Sequence, residues 1–574
     1  MLYLIFLFLS VFGAMEGVFA QDFRPQPEIS TMVNFDETAS AFALGTYGVQ
    51  SMVVTAHPLA TKAAQGVLDD GGNAIDALVV AQLVLGLVEP QSSGLGGGAF
   101  LLYHDVETGE TVSFDARETA PIRAYSDMFL TKDGTALGFY EAALSGLSIG
   151  VPGVPKLLDQ VHLRYGALEW TALFDSPISL AQDGFKVLPR FVEMVENQKE
   201  KFSSFSETAA YFGQVQTGSI LKNLDYAGTL ARFREERSGY FYEGGFAQQI
   251  ANASVSNGGY MERGDLEIYE VKKRETLCDF YRGYKICSMN EPSSGGLTIL
   301  QILKMLERFD LSGGATAKNL HRIIEVSRLA FSDRNQYMAD SDFVKTPNTM
   351  LLEQSYIEQR SALIGPMAMD QVAYGIPDEW KEAHASDESK EEPGTSHISI
   401  IDRDGNMASM TTTIESAFGS HIMVGGFLLN NELTDFSFVS ERDGKLVANR
   451  VQGGKRPRSS MSPTIVFDPD GDPFLVIGSA GGSRIIGYVL QRIIALIDWD
   501  MSLEEAMNAS HILSRGGGVD VELGHDYPTG ALKVLRHEVT ERDLNSGLTG
   551  IHVKEGQMIG VADPRRDGVA LVSR

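Results

Sequence analysis

The sequence is short of positive charge, and this shortage narrows the partners that it can have. Lys and Arg total 48 against 75 Asp and Glu, which gives a formal net charge of -27 at pH 7. Nucleic-acid phosphates and anionic membrane surfaces attract Lys and Arg, so neither is expected as a partner. With 574 residues, 43% of them hydrophobic, the chain is long enough to form a large buried core.

Cysteine is nearly absent, because Cys278 and Cys287 are the only two. No metal site is expected at them, since no third or fourth ligand lies near in sequence. The stretch LCDFYRGYKICS predicts two strands around a turn at Arg282 and Gly283, which places the cysteines on facing strands. A disulfide formed in an oxidising compartment and a pair of structural free thiols both fit this arrangement.

Long hydrophobic runs are absent after the N-terminus, since no later run reaches the ~18 apolar residues that cross a bilayer. Residues 1–20, MLYLIFLFLSVFGAMEGVFA, are apolar and end at a small residue before Gln21, which predicts a secretory signal peptide. No Lys or Arg precedes Arg24, so an uncleaved membrane anchor remains the alternative. With the signal removed, we expect a periplasmic or secreted protein without stable membrane insertion.

The N-terminal third shows alternating strand and helix signals. Residues 48–56 predict a strand, residues 57–72 a helix, and residues 73–90 a second helix that is apolar nearly all round. The glycine loop at 94–99 matches the spacing G-x-G-x-x-[GA]. A dinucleotide site needs a strand before such a loop and a helix after it, whereas here a helix precedes and a hairpin follows. We therefore interpret these glycines as close backbone packing.

The character of the chain changes near residue 395. Residues 155–345 are mostly helical by pattern, and residues 381–394, KEAHASDESKEEPG, are charged and lack periodicity. Such a segment predicts an exposed and mobile acidic linker. Alternating strands follow it, beginning at Thr395.

The segment that starts at Thr395 predicts a β-hairpin with its turn at residues 402–406. With the hairpin centred on Asp404, Thr395 faces Thr413, and two hydroxyl groups lie side by side. A threonine hydroxyl is a weak nucleophile without a base, but an N-terminal threonine carries its own base, the α-amine. Cleavage before Thr395 would create this arrangement, although threonine-rich hairpins are also common in ordinary sheets.

Eight segments together resemble the γ-glutamyltranspeptidases, also called glutathione hydrolases, a family of self-cleaving N-terminal-nucleophile hydrolases. The match covers nearly the whole chain after the signal, and the order and spacing of the motifs are more specific than any one of them. The segments are GGNAIDA (71–77), QSSGLGGGAF (91–100), DARETAP (115–121), GTSHISIIDRDGN (394–406), LLNNELTDFS (428–437), KRPRSSMSPTIV (455–466), GSAGGSRII (478–486) and ADPRRDG (562–568).

The resemblance implies an α+β fold, a four-layer αββα sandwich, made as one precursor and cut between Gly394 and Thr395. The large fragment would be residues 21–394 and the small fragment residues 395–574, held together as a heterodimer. No metal or organic cofactor is implied.

The resemblance also assigns the catalytic groups. Thr395 matches the nucleophile, and Thr413 matches the second threonine of the family's Thr-Thr dyad. Gly481 and Gly482 match the backbone N–H pair of the oxyanion hole. Successive glycine N–H groups are suited to a developing oxyanion, which supports this assignment.

The groups that bind the γ-glutamyl donor are implied in the same way. Arg117, Ser459 and Ser460 match the residues that hold its α-carboxylate, and Glu432 and Asp435 match those that hold its α-amine. A guanidinium fork with two hydroxyls suits a carboxylate, and two carboxylates suit an ammonium.

Two features depart from the family pattern. Glu415 stands where members usually have Asn, so three carboxylates would face one ammonium, and we expect one to be protonated or turned away. The loop from Phe436 to Lys455 is shorter than the lid of many members and contains no Tyr. A loop of this length predicts an open pocket. Such a pocket would admit bulkier donors and more water, which would favour hydrolysis over transfer.

The implied function is the cleavage of glutathione and related γ-glutamyl amides through a γ-glutamyl-Thr395 ester, which passes to water or to an acceptor amino acid or peptide. A cephalosporin-acylase-like amidase on glutaryl or other acyl amides is the alternative; Glu415 and the short lid favour it, and the carboxylate clamp opposes it. A processed but inactive binding protein is a third hypothesis. It requires a lost catalytic group, and the sequence has lost none.

Overall fold

The computed structural model describes residues 45–573 except 49, 390 and 393. The predicted signal peptide at residues 1–20 lies outside the described residues. Among the helices that are described, none has the length and apolar character needed to cross a membrane.

The described residues contain strands that fall mainly into two large sheets. In chain order the strands are β1 Thr46–Gly48, β2 Met52–Thr55, β3 Gly98–Asp105, β4 Glu110–Ala116, β5 Phe185–Lys186, β6 Ile220–Leu221, β7 Lys272–Arg274, β8 Leu277–Tyr281, β9 Tyr284–Ser288, β10 Thr395–Ile401, β11 Met407–Thr413, β12 Met423–Val424, β13 Phe427–Leu428, β14 Glu441–Arg442, β15 Lys445–Leu446, β16 Thr464–Phe467, β17 Pro473–Gly478, β18 Ile512–Ser514, β19 Val519–Glu522, β20 Val539–Arg542, β21 Thr549–Lys554, β22 Gln557–Ala562 and β23 Val569–Val572.

The helices are concentrated in the middle of the chain, as the pattern of residues 155–345 predicts. In chain order they are α1 Pro58–Asp69, α2 Ala74–Val88, α3 Phe139–Ala143, α4 Val154–Tyr165, α5 Asp175–Asp183, α6 Pro189–Phe202, α7 Ser206–Phe212, α8 Leu224–Glu236, α9 Gly239–Tyr242, α10 Gly244–Ser256, α11 Arg263–Glu267, α12 Gly295–Leu306, α13 Ala317–Tyr337, α14 Asn348–Leu351, α15 Gln354–Ser361, α16 Ile485–Ile497, α17 Leu503–Asn508 and α18 Thr529–Val534.

Two seven-stranded sheets stack on each other at the centre of the molecule. Their strand orders are β1-β22-β21-β17-β16-β9-β8 and β23-β2-β10-β11-β3-β4-β7. Strands β10 and β11 contact β17 and β21 across the interface between the sheets. Helices α1, α2 and α4 cover one sheet, and α12 and α16 cover the other. The predicted α+β, four-layer αββα sandwich is confirmed.

The central strands are buried on both faces because alternate residues enter different cores. In β2, Val53 packs in the core shared with α1 and α2, whereas Met52 and Val54 pack in the core that contains the other sheet. Helix α2 is buried along its whole length, as its apolar sequence predicts. The side chain of Asn73 caps its N-terminus.

The glycine loop before β3 packs against backbone, as interpreted from the sequence. A Cβ atom on Gly96 would lie 2.0 Å from the carbonyl oxygen of Leu428, and one on Gly97 would lie 1.9 Å from that of Thr413. A side chain at Gly97 would displace the strand that ends in the second threonine of the hairpin, and one at Gly96 would displace β13. Helix α2 precedes the loop and β3 follows it, which is not the order of a dinucleotide site.

The two predicted hairpins have the predicted registers. Strand β10 pairs antiparallel with β11, and Thr395 lies opposite Thr413. Strand β8 pairs with β9, and Cys278 lies opposite Cys287. Of the two states that the sequence left open for the cysteines, the structure contains the disulfide, with an S–S distance of 2.08 Å.

The prediction that residues 381–394 form an exposed linker is wrong at Asp387 and Glu391. Asp387 is 2% exposed and lies 3.0 Å from the guanidinium of Arg458. Glu391 is also buried and forms an ion pair with Arg334. These carboxylates are buried because arginines from distant parts of the chain neutralise them.

Candidate active site

Thr395 and Thr413 occupy the open end of the β10–β11 hairpin, at the centre of their sheet. The Thr395 hydroxyl donates a hydrogen bond of 3.4 Å to the Thr413 hydroxyl. The Thr413 hydroxyl donates to the carbonyl oxygen of Gly394 at 2.6 Å and accepts from the N–H of Glu415 at 2.8 Å. Thr413 therefore contacts both the predicted nucleophile and the peptide bond predicted to be cut.

The chain is uncut in this structure, so the α-nitrogen of Thr395 lies in the peptide bond to Gly394. It becomes a basic amine only when that bond is broken. The carbonyl oxygen of Thr395 accepts a hydrogen bond of 2.9 Å from Arg566, which fixes the first residue of β10. The Thr395 hydroxyl and the Gly394 carbonyl oxygen are both hydrogen-bonded to the Thr413 hydroxyl.

Arg117 forms ion pairs with Glu432 and Asp435, and all three side chains are buried. Burial acts to lower the pKa of Arg117, but the two carboxylates outweigh it and raise that pKa above its ordinary value. Burial raises the pKa values of Glu432 and Asp435 well above their usual range, although Arg117 opposes the shift. In the uncut chain, the predicted α-carboxylate and α-amine binding groups therefore bind each other.

Glu415 completes a group of three carboxylates. It accepts hydrogen bonds from the side chain of Asn431 and, at 3.2 Å, from the N–H of Glu392. Burial raises its pKa well above the ordinary value, and the charges of Asp435 and Glu432 raise it further. One guanidinium cannot balance three buried carboxylates, so the cluster favours retaining a proton at neutral pH.

The two serines line the same cavity, directly after the backbone carbonyl groups of Pro457 and Arg458 that accept hydrogen bonds from Arg117. Ser460 accepts a hydrogen bond of 2.7 Å from Arg334, and Ser459 accepts one of 3.1 Å from the N–H of Met461. Burial and the nearby Arg458 lower the pKa of Arg334 to about 10, which leaves this guanidinium charged at neutral pH.

Gly481 and Gly482 form the tight turn between β17 and α16. Their φ angles are 130° and 55°, both in the left-handed region where a side chain is strained. A Cβ atom on Gly482 would lie 2.8 Å from the carbonyl oxygen of Glu391. The segment before the predicted cleavage point therefore packs directly on the glycine turn.

Most of the predicted residues line one cavity, and the rest adjoin it. Its lining residues are Arg117, Glu391, Glu392, Thr395, Thr413, Glu415, Glu432, Asp435, Ser459, Ser460, Met461, Gly482 and Ile485. Gly481 and Gly394 are the chain neighbours of Gly482 and Thr395.

The cavity at Thr395 is nearly closed in the uncut chain, and the expectation of an open pocket in the processed enzyme stays a prediction. The cavity has a volume of about 20 Å³, roughly the space of one water molecule. Glu391 and Glu392 fill the space, and within the described part of the chain no residue of the short loop between Phe436 and Lys455 lines it. In the uncut chain the tail before Thr395 closes the site, and the short loop does not cover it.

Sequence reasoning missed three residues that shape the site. Arg566 lies in the ADPRRDG segment and Asn431 in the LLNNELTDFS segment. Both residues therefore lie within motifs of the family resemblance, although neither was assigned a role. Arg334 lies on the long helix α13, and no motif marks it. Among the described residues, no group of three His, Cys, Asp or Glu side chains is placed to hold a metal ion.

Two stacked sheets between helical layers, with paired threonine hydroxyls at the start of a central strand, define the class of N-terminal-nucleophile hydrolases. The model of the family described as Gamma-glutamyltranspeptidase matches residues 60–573. The glutathione hydrolase proenzyme of Bacillus subtilis (strain 168) is 36% identical over 551 residues, which cover 91% of this chain and 92% of that protein. The chain belongs to the gamma-glutamyltranspeptidase family.

Solved structures agree with this assignment. Gamma-glutamyltranspeptidase from Helicobacter pylori is 34% identical, with a TM-score of 0.55, over 61% of this chain and 99% of that chain. Cephalosporin acylase from Bacillus halodurans has a TM-score of 0.80 over 92% of this chain and 97% of that chain. At 24% identity, the acylase shows the shared fold alone.

Proposed function

We propose that this chain cuts itself before Thr395 and then cleaves γ-glutamyl amides, including glutathione, passing the γ-glutamyl group to water or to an acceptor amino acid or peptide. The observation that carries the proposal is the position of Thr413. Its hydroxyl bridges the Thr395 hydroxyl and the Gly394 carbonyl oxygen, within the cavity that also contains Arg117 and its carboxylate partners.

The self-cleavage step follows from these contacts. The Thr395 oxygen attacks the carbonyl carbon of Gly394, and the Thr413 hydroxyl stabilises the charge that develops on the carbonyl oxygen. The Gly394–Thr395 C–N bond breaks as the nitrogen gains a proton, which leaves an ester between Gly394 and the Thr395 oxygen. Water hydrolyses the ester and leaves a carboxylate on Gly394 and a free α-amine on Thr395.

The free amine then serves turnover. It takes the proton of the Thr395 hydroxyl as the oxygen attacks the γ-carbonyl carbon of the donor. The N–H groups of Gly481 and Gly482 stabilise the tetrahedral oxyanion, and one such donor typically contributes about 2.7–4 kcal/mol. The leaving amine departs with a proton, and the γ-glutamyl ester on Thr395 is attacked by water or by an acceptor amine.

Donor binding exchanges one set of ion pairs for another. Arg117 already reaches Glu432 and Asp435 in the uncut chain, so these three side chains are close enough to share one α-amino-acid head group. The donor's α-carboxylate would pair with Arg117 and its α-ammonium with the two carboxylates. The donor head group carries one positive and one negative charge, so the exchange leaves the net charge of the buried site unchanged.

This charge balance favours a γ-glutamyl donor over a glutaryl donor. A glutaryl group has the same length but no ammonium, so it would add a carboxylate to a site that already contains Glu415, Glu432 and Asp435 without bringing a cation of its own. The acylase hypothesis is therefore the weaker one for this site.

We also propose that the enzyme consists of two fragments, residues 21–394 and 395–574, and that it is exported. The hairpin β10–β11 would belong to the small fragment, but it pairs with β2 on one side and β3 on the other, both from the large fragment. Separation would break the sheet, so a heterodimer is expected. The predicted signal peptide and the Cys278–Cys287 disulfide both fit an oxidising compartment.

The test is a comparison of γ-glutamyl-p-nitroanilide with glutaryl-p-nitroanilide, using processed wild-type enzyme and the Arg117→Lys variant. We expect release of p-nitroaniline from the γ-glutamyl compound, and a marked loss in the variant because Lys cannot form the bidentate contact. Faster turnover of the glutaryl compound would favour the acylase hypothesis and contradict the proposal.

A further inference from the structure

Residues 545–548, in the connection between β20 and β21, lie against the start of the glycine turn. The N–H of Gly547 donates a hydrogen bond of 3.3 Å to the Ser479 hydroxyl, which in turn donates one of 2.8 Å to the carbonyl oxygen of Ala480. A Cβ atom on Gly547 would lie 2.8 Å from the Cβ atom of Ala480. The two glycines that are predicted to supply the oxyanion donors follow Ala480 directly.

The same glycine lies against the arginine that fixes the nucleophile. Arg566 donates a hydrogen bond of 2.9 Å to the carbonyl oxygen of Thr395, and its Nε atom donates one of 2.9 Å to the carbonyl oxygen of Ser546. A Cβ atom on Gly547 would lie 2.8 Å from the Cζ atom and 2.9 Å from the Nε atom of Arg566. A side chain at Gly547 would therefore meet both Arg566 and Ala480.

Buried polar groups fix the 545–548 segment in place. The Ser546 hydroxyl donates a hydrogen bond to the Asp563 carboxylate, and the N–H of Leu548 donates one of 3.1 Å to the same carboxylate. The Nε2 atom of His511 lies 2.7 Å from the Ser546 hydroxyl, which accepts a proton there because it donates its own to Asp563. These side chains are all buried. Displacing the segment would leave buried polar groups unpaired, so the segment resists movement.

Space, and not backbone conformation, requires a glycine at position 547. The φ angle of Gly547 lies outside the left-handed region, so the backbone itself would accept alanine. Because Cβ atoms essentially never approach another heavy atom within 3.0 Å, an added methyl group must displace Ala480, Arg566 or both. The segment, the glycine turn and Arg566 all follow Thr395 in the chain, so the proposed cut separates none of them.

We propose that Gly547 is a positioning residue for the reaction, and that it sets the distance between the Thr395 oxygen and the N–H groups of the glycine turn. The inference rests on the proposed function, in which Thr395 is the nucleophile and this turn supplies the oxyanion donors. Such donors are effective at about 2.7–3.1 Å from the oxyanion. A small displacement of the turn or of Thr395 would therefore slow the chemical step.

Donor binding should depend much less on Gly547. Arg117, Glu432 and Asp435, the groups proposed to bind the head group of the donor, are not among the atoms that a Cβ atom on Gly547 would approach most closely. A substitution at Gly547 should therefore separate the rate of the reaction from the affinity for the head group.

The test compares the Gly547→Ala variant with the wild type, both as processed enzymes. The measured quantities are kcat for γ-glutamyl-p-nitroanilide and the Ki of glutamate as a competitive inhibitor, which carries the head group but undergoes no reaction. We expect kcat to fall about ten- to hundredfold, the scale of a misplaced reacting group. The Ki should change by less than about twofold. A weakened Ki with unchanged kcat would overturn the inference.

A second substitution tests the contact with the glycine turn. The Gly547→Ala/Ala480→Gly variant keeps the added methyl group and removes the methyl group that it would meet. We expect kcat to recover by more than about twofold relative to Gly547→Ala, because residues in contact are energetically coupled. The contact with Arg566 remains and should prevent full recovery. A double variant no faster than Gly547→Ala would contradict the proposed positioning.

Gly550→Ala is the matched control for crowding. A Cβ atom on Gly550 would lie 2.8 Å from the terminal methyl group of Met507 and 3.6 Å from a methyl group of Leu503, both on α17. This variant should keep kcat within about twofold of the wild type. An equal fall in kcat for Gly547→Ala and Gly550→Ala would show that both act through general crowding, and the inference would be wrong.

Ser479→Ala decides the question if Gly547→Ala does not fold or does not cut itself. It removes the hydrogen bond between the 545–548 segment and the turn without adding an atom. We expect kcat to fall about two- to tenfold, the scale of one hydrogen bond, with an unchanged Ki. An unchanged kcat in this variant would then overturn the inference.

Failure of the inference and failure of the proposed function give different results. A processed wild type that does not cleave γ-glutamyl-p-nitroanilide would contradict the proposed function, and the inference would fall with it. An active wild type whose kcat is matched by processed Gly547→Ala would contradict the inference alone.

Discussion

At the scale of single residues, Thr413 connects the two reactions of the site. Its hydroxyl bonds to the Thr395 hydroxyl, to the Gly394 carbonyl oxygen and to the N–H of Glu415. The same group can therefore stabilise the charge on the Gly394 carbonyl during cleavage and orient the nucleophile afterwards. Its neighbour Glu415 is electrostatically coupled to Asp435 and Glu432, the carboxylates proposed to bind the donor's ammonium.

The Thr413→Val variant should process slowly. Valine keeps the shape of threonine but removes the hydroxyl that contacts the Gly394 carbonyl oxygen, and the loss of one such donor typically slows a reaction by about 10²- to 10³-fold. The rate is measured by following the uncut chain on a denaturing gel. Thr413→Ser is the control and should retain most of the rate, whereas wild-type speed in Thr413→Val would contradict the assigned role.

The Glu415→Gln variant should move the acidic limb of the pH profile of kcat/KM to lower pH. The donor's ammonium binds ionised carboxylates, so kcat/KM rises as the pH passes through their raised pKa values. Repulsion between Glu415 and Asp435 is mutual, and removing one charge lowers the pKa of the other. An acidic limb that stays in place, or moves to higher pH, would show that Glu415 is not coupled to the binding carboxylates.

At the scale of elements, the sequence predicts local features well. The alternating residue pattern of the strand and the turn at residues 402–406 correctly placed Thr395 opposite Thr413, because hairpin register follows from the turn position. The packing of the glycine loop and the burial of α2 were predicted for the same reason, since each depends on neighbouring residues. That the separated site residues lie together was predicted from the motif resemblance. Periodicity could not have predicted it, because it describes only neighbouring residues.

The tail before Thr395 is the element that sequence reasoning placed incorrectly. Its composition is that of an exposed linker, yet Glu391 and Asp387 are buried against Arg334 and Arg458. These arginines lie on α13 and in a loop more than fifty residues away from their partners along the chain. Local composition carries no information about such long-range charge pairs.

Replacing Glu391 should destabilise the uncut chain. The Thr395→Ala/Glu391→Gln protein should unfold with a free energy about 3 kcal/mol below that of Thr395→Ala at pH 7, because Arg334 would lose its buried partner. Burial raises the pKa of Glu391, but Arg334 and Arg458 outweigh it and lower the pKa overall. The ionised form is therefore the stabilising one, and the difference should shrink as the pH falls through this lowered pKa.

Denaturant unfolding at several pH values measures this difference. The matched control is Glu388→Gln in the same Thr395→Ala background, because Glu388 is 67% exposed in its pair with Arg442 and should change the stability by less than about 0.5 kcal/mol. Equal stability of the Glu391→Gln and Glu388→Gln proteins at pH 7 would contradict the structural role of the buried pair.

At the scale of the whole molecule, the two proposed fragments are interleaved in both sheets. In one sheet the hairpin β10–β11 lies between β2 and β3, and in the other β16 pairs with β9 and β22 pairs with β1. Cleavage before Thr395 breaks one peptide bond and none of these strand pairs. The strand pairing is therefore compatible with the proposed cut.

Processed enzyme should elute from size-exclusion chromatography as one species that contains both fragments. The fragments should separate only in denaturant, and in a single cooperative transition, because each large sheet contains strands from both. Thr395→Ala provides the uncut control of the same composition. Separation of the fragments in buffer alone would contradict the proposed heterodimer.

The most direct test of the central claim is the intact mass and N-terminal sequence of the purified protein. The account predicts two chains, with the smaller beginning Thr-Ser-His-Ile-Ser at residue 395, and it predicts a single chain for Thr395→Ala. A wild-type protein that remains one uncut chain would leave Thr395 without its α-amine base and would contradict the proposed mechanism.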